Sequence, residues 1–87
     1  MSYTEENWIR YAELFQDQWD ATELQLELLE TCNGNVELAR VIHFHLADNC
    51  IDWMHRKIPA LDDMKPVDCL ETEDLLKKLK GCLMRFH

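Results

Sequence analysis

Glycine and proline are scarce: two of each in 87 residues. That leaves few of the tight turns a β-sandwich or barrel needs. No apolar run approaches the roughly 18 residues of a membrane span, so no membrane association is expected. The opening MSYTEENW has no basic segment leading into an apolar one, so no secretory signal is expected and the location reads as cytoplasmic. None of the four cysteines (Cys32, Cys50, Cys69, Cys82) forms a C-x-x-C pair, which removes the zinc-ribbon spacing. Each falls on or beside an apolar stripe, so buried free thiols are expected.

Bases are scarce in the first half. Residues 1–52 hold eleven acids and only Arg10 and Arg40, a net −9. Residues 53–87 hold seven bases and six acids, a net +1, and the two halves sum to −8. An acidic surface repels a phosphate backbone, so no autonomous nucleic-acid binding is expected.

Catalytic signatures are missing as well. There is no glycine-rich phosphate loop. His43 and His45 are two apart, about 200° around a helix, and cannot grip one metal as an i, i+4 pair does. Cys50, His45 and Asp48 have the residue types of a nucleophile, base and orienter. Neighbours this close on a helix seldom converge on one cleft, and Cys50 reads as a core residue. The expectation is a non-enzyme with no cofactor and no metal.

What is present is helical periodicity. Trp8, Tyr11, Ala12, Phe15 and Trp19 recur at helical spacing, predicting a first helix of about four turns that starts near Thr4, with Ser2 and Glu5 at capping-box spacing; this aromatic stripe reads as turned inward to the core, the alternative being a partner-binding face. Asp20 and Glu23 repeat that spacing before a second helix over 21–32, with Leu24, Leu28, Leu29 and Cys32 inward and Leu26 the exception. Asn33-Gly34 stops it, and Asn35 caps a third helix from Val36 to Leu46. That helix is apolar nearly all round and reads as central. It either runs on to Lys57 or breaks near Asp48-Asn49.

Ile58-Pro59-Ala60-Leu61 then leaves the helix, since proline restricts the residue before it. Pro66 opens a short helix. Thr72 caps the last one, in which Leu75, Leu76, Leu79, Cys82, Leu83 and Phe86 form one stripe; Lys77, Lys78, Lys80 and Arg85 sit in its middle and end, where cations suit the helix dipole, with Lys78 on the charged face. No period-two pattern appears. The predicted fold is all-α, a compact irregular bundle of five to six helices in one domain: acidic N-terminal helices over 1–43 and a distinct region over 44–87.

That second region carries a resemblance. Phe44, Trp53-Met54, Pro59-Ala60-Leu61, Pro66, Thr72-Glu73, Leu79 and Leu83-Met84-Arg85 fall without gaps at spacings similar to those of the toxin-binding domain of Xre/MbcA/ParS-type antitoxins. Two positions depart from its pattern. Asp62-Asp63 stands where the family usually has a small residue, often Gly-Gly, and Leu75 where glycine is common.

The resemblance implies a protein that binds and silences a RES-type toxin, an enzyme that consumes NAD or transfers ADP-ribose from it, by covering its active site. The partner-binding candidates are Trp53, Arg56, Lys57, Leu61, Lys65, Arg85 and Phe86. Trp53, Leu61 and Phe86 read equally as core. The alternative is an acidic inhibitor or adaptor, from a mobile element or phage, that engages a basic or nucleic-acid-binding protein surface. Either reading is compatible with a homo-oligomer.

Overall fold

A computed structural model describes residues 4–85. Side-chain caps set its helix starts. α1 (Glu5–Glu13) begins at Thr4, whose hydroxyl accepts the Asn7 N–H at 3.1 Å. Ser2 of the expected capping pair lies outside the described residues. α1 is shorter than the four turns expected. Phe15 leaves helical geometry (φ −106°, ψ 7°), Gln16–Gln18 tighten into a 3₁₀ turn, and Trp19 is extended. The tighter turn brings the chain round toward the next helix while Phe15 stays in the core.

α2 (Glu23–Thr31) starts two residues later than predicted. Ala21 has φ 52°, outside helical space, and Thr22 is the cap. Thr22 and Gln25 form the capping box: the Thr22 hydroxyl accepts the Gln25 N–H, and Gln25 Oε1 accepts the N–H groups of Thr22 (3.0 Å) and Asp20 (2.9 Å). Gln25 is thereby buried with its oxygen satisfied. Leu28 and Cys32 are buried, Leu24 and Leu29 partly so, and Leu26 is exposed. Asn33 and Gly34 close the helix at φ 58° and 82°, as read from the sequence.

α3 (Val36–Leu46) has the predicted bounds, with Asn35 Oδ1 accepting the Leu38 N–H at 3.1 Å. It touches every other α element. Leu38, Ala39, Val41 and Ile42 are fully buried, each large aliphatic contributing about 1.5–3 kcal/mol of burial. The chain breaks at Ala47, whose φ 46°, ψ −121° no L-residue adopts comfortably. A 3₁₀ turn over Ala47–Asn49 leads into α4 (Cys50–Met54), a single short turn that buries Cys50, Trp53 and Met54.

Both prolines open 3₁₀ turns, Pro59–Leu61 and Pro66–Leu70. α5 (Glu73–Met84) is capped by Thr72, whose hydroxyl accepts the Leu75 N–H at 3.2 Å. Leu79, Cys82 and Leu83 are buried; Leu75 and Leu76 pack against the core from its margin. Lys80 is only 7% exposed, which is rare for a lysine. α5 is covered both by α1 and by the two proline-led turns, a wider arc than one stripe. The Lys80 stem lies against Trp8, with Nζ 5.5 Å from that ring's centre.

The architecture is all-α. Among the described residues it has four α-helices of nine residues or more, the single turn α4 and four 3₁₀ turns, so the predicted five to six helices hold only loosely. Among the described residues there is no strand, only an isolated antiparallel bridge between Ile58 and Met64. All four cysteines are buried free thiols, as expected.

Candidate functional site

The seven predicted anchors do not share one surface. Trp53 and Leu61 are core residues, 8% and 0% exposed, a correction to their reading as contacts. Trp53 closes α4 over the bundle, and the 3₁₀ turn opened by Pro59 directs Leu61 inward beneath α5. Neither reaches a partner unless the fold opens. Phe86 lies outside the described residues. Arg56, Lys57, Lys65 and Arg85 are exposed.

Three of those four gather at the neck of the 58–64 loop. Ile58 N–H donates to the Met64 carbonyl at 3.1 Å, and Lys57 and Lys65 directly flank that bridge, with Arg56 one residue further back. The loop is held by its own backbone: Leu61 and Asp63 N–H both donate to the Ile58 carbonyl, and Asp62 N–H donates to that of Pro59. Two left-handed residues, Asp62 (φ 56°) and Asp63 (φ 64°), bring it back. Arg56 pairs with Asp52 one turn earlier. Both side chains are mostly exposed, so the pair adds little stability. Among the described residues, no carboxylate lies within ion-pair distance of Lys57 or Lys65.

Arg85 stands elsewhere. Its Nε donates to the Gly81 carbonyl at 3.2 Å, at the helix end where a cation suits the dipole. The loop meets α5 at Lys78, which pairs with Asp62. Arg85 is seven residues further on, about 10 Å along a helix axis. Its neighbour in the fold is α1: Tyr11 Oη lies 3.4 Å from the Leu83 carbonyl.

That contact leads to an assembly the sequence reading missed. Tyr11, Phe15, Phe44 and His45 form one ring cluster. Phe15 and Phe44 stack with centres 4.1 Å apart, Tyr11 meets Phe15 edge-on at 5.2 Å, and Phe44 meets His45 edge-on at 5.2 Å. Tyr11 Oη is 2.6 Å from His45 Nε2. The hydroxyl has one proton, and this short contact competes for it better than the longer one to Leu83. Burial holds the His45 pKa below its ordinary value and pushes that of Tyr11 up, which keeps both neutral at neutral pH. Alongside, Trp19 meets His43 edge-on, and His43 Nδ1 lies 3.3 Å from Gln25 Nε2.

The cluster is not sealed. Phe44 is 45% exposed, and Leu14, next to Tyr11 and Phe15 in the chain, is 70% exposed. The sequence reading placed Tyr11, Phe15 and Trp19 on an inward stripe and α3 in the interior on all sides. Only Phe15 of those three is buried; Tyr11 and Trp19 are partly covered.

Groups with catalytic chemistry are placed otherwise. Cys50 is fully buried and its thiol is pushed above the ordinary value, first by burial. That opposes the thiolate a nucleophile needs. His45 is engaged with Tyr11. Among the described residues, no three His, Cys, Asp or Glu side chains are grouped to hold a metal ion. Compared with protein-family models, with curated proteins and with solved structures, the chain matches none.

Proposed function

We propose that this chain is a non-catalytic protein that binds a partner enzyme and covers its active site, as its resemblance to Xre/MbcA/ParS-type antitoxins implies, with a RES-type toxin acting on NAD as the partner. The observation that carries this reading is the backbone at Asp62 and Asp63. Consecutive left-handed residues are what a glycine pair accommodates without cost. The resembling family usually has Gly-Gly at this point, and aspartate is among the few other residues that visit the same region. The departure in residue type therefore leaves in place the conformation a glycine pair serves. Pro59 and Pro66, each opening a turn, and Leu61, seated in the core between them, support the same alignment.

On this reading the contacts are made by the exposed cations: Arg85 at the end of α5, and Lys57 and Lys65 at the loop neck. Arg85 suits bidentate pairing with a carboxylate. The test is co-expression with a RES-domain toxin of the same genome, followed by calorimetric titration. The toxin is expected to be neutralised. Arg85→Glu should weaken the complex by about 2 kcal/mol or more if the contact is desolvated, with circular dichroism unchanged. Persisting toxicity, or full affinity in the variant, refutes the reading.

A further inference from the structure

We infer that the half-open ring of Phe44, backed by buried Phe15, is a docking site for a cationic segment of a protein partner, one that carries an apolar anchor. This goes beyond the antitoxin reading and depends on no particular enzyme. Phe44 lies one turn after buried Val41, at the margin of the covered side of α3, with 45% of its surface exposed and its ring stacked on Phe15. It needs little ordering on binding, and aromatic residues in such settings supply most of an interface's energy.

The charge around this face selects the occupant. Asp17 and Asp20 flank Trp19 in the chain, Glu37 lies two turns before Phe44 on the same side of α3, and Asp48 follows just past the helix end. Among the described residues, none of these four carboxylates has a base within ion-pair distance. Against these four acids stands Arg40, a turn before Phe44 on α3. A second copy docked about a twofold axis would set this acidic rim against itself. Nucleic acid and anionic lipid are repelled for the same reason. A lysine- or arginine-rich segment meets both parts: its apolar residue covers Phe44 and its cations meet the rim.

The test uses a synthetic amphipathic helix of leucine and lysine, titrated into the full chain and followed by tryptophan fluorescence. Trp8 and Trp53 are buried, so the reporter is Trp19, which meets His43, the residue before Phe44. Saturable binding that weakens with salt is expected. Phe44→Ala should weaken it about tenfold or more, by loss of a central aromatic anchor. Leu26→Ala should change it less than about twofold, because that exposed leucine lies apart, among Glu23, Glu27 and Glu30 on α2. The double reversal Asp17→Lys/Asp20→Lys leaves the core intact; it should also weaken binding about tenfold and flatten the salt dependence.

No saturable binding, full affinity in either the Phe44 or the aspartate variant, or equal loss in the Leu26 variant overturns the inference. So does a dimer of the unliganded chain, seen by sedimentation, that Phe44→Ala abolishes, since the occupant would then be a second copy. The titration contains no toxin, so its failure and that of the antitoxin reading are separately visible.

Discussion

Lys80→Ala should destabilise the fold far more than removal of a solvated lysine, which changes stability by about 0.5 kcal/mol or less. In the fold Lys80 is nearly covered, with its stem along Trp8 and Nζ 3.4 Å from Glu5 Oε1. Truncation to alanine removes three buried methylenes, at about 0.8 kcal/mol each. It also removes a cation over an indole, worth about 0.5–2 kcal/mol depending on how dry the site is. Against this, relieving an ammonium whose ion-pair partner is long and itself 60% exposed returns part of the cost. The net expectation is about 1–3 kcal/mol of destabilisation. For a domain of this size that lowers Tm by about 5–20 °C.

Lys80→Met separates the contributions, because it keeps most of the stem and drops the charge. If packing dominates, it should stay within about 1 kcal/mol of the parent. Urea titration followed by tryptophan fluorescence and by circular dichroism measures both variants, with the exposed Lys77→Ala as the surface control. Equal midpoints for Lys80→Ala and Lys77→Ala would refute the burial argument. A Lys80→Met variant as weak as Lys80→Ala would place the stabilisation in the charge.

The remaining expectations concern the backbone and pH. Ala47→Gly should stabilise by about 1 kcal/mol or more, since φ 46°, ψ −121° is glycine territory, and Asp63→Gly by about 0.5–1 kcal/mol; chemical denaturation checks both, and a loss of stability in either contradicts the geometry. The Cys32 thiol is pushed up to about 12, first by burial and then by Cys50, so above pH 9 the unfolded chain releases its proton while the fold retains it. Stability should then fall with rising pH, by up to about 1.4 kcal/mol per unit from this thiol, and an unchanged urea midpoint between pH 9 and 10 would refute its burial. At the acid end, burial holds His45 below 6.5, so the unfolded chain takes the proton first and stability should fall as pH drops below that value. His45→Phe should flatten the acid limb.

What could be read from the sequence, and what could not, follows the range of the interactions involved. The stop at Asn33-Gly34, the Asn35 and Thr72 caps and the two proline-led turns were legible because each is decided within four residues by a side chain acting on nearby backbone. The start of α2 differs by two residues because Thr22 with Gln25 and Asp20 with Glu23 are both possible capping pairs at the same spacing, and the fold uses the first, with Ala21 outside helical space at φ 52°.

Helical periodicity identifies an apolar arc but does not choose among arcs. α3 is apolar around most of its circumference, so its neighbours decide what is inside. α1, α2, α4 and α5 between them cover Leu38, Ala39, Val41 and Ile42. Phe44 is left with only the edge of α1 and the turn after it, against which its ring rests half open. The same logic places Lys80. A residue next to Leu79 on a helix is polar-facing only if nothing covers that side, and α1 brings Trp8 across it. Both placements thus arise where a fourth or fifth element closes, or fails to close, over a helix whose own pattern is satisfied either way. The candidate docking face belongs to that class. Its rings come from α1, the turn after it and α3, with more than twenty residues of chain between Trp19 and Phe44, and none of them is anomalous within its own helix.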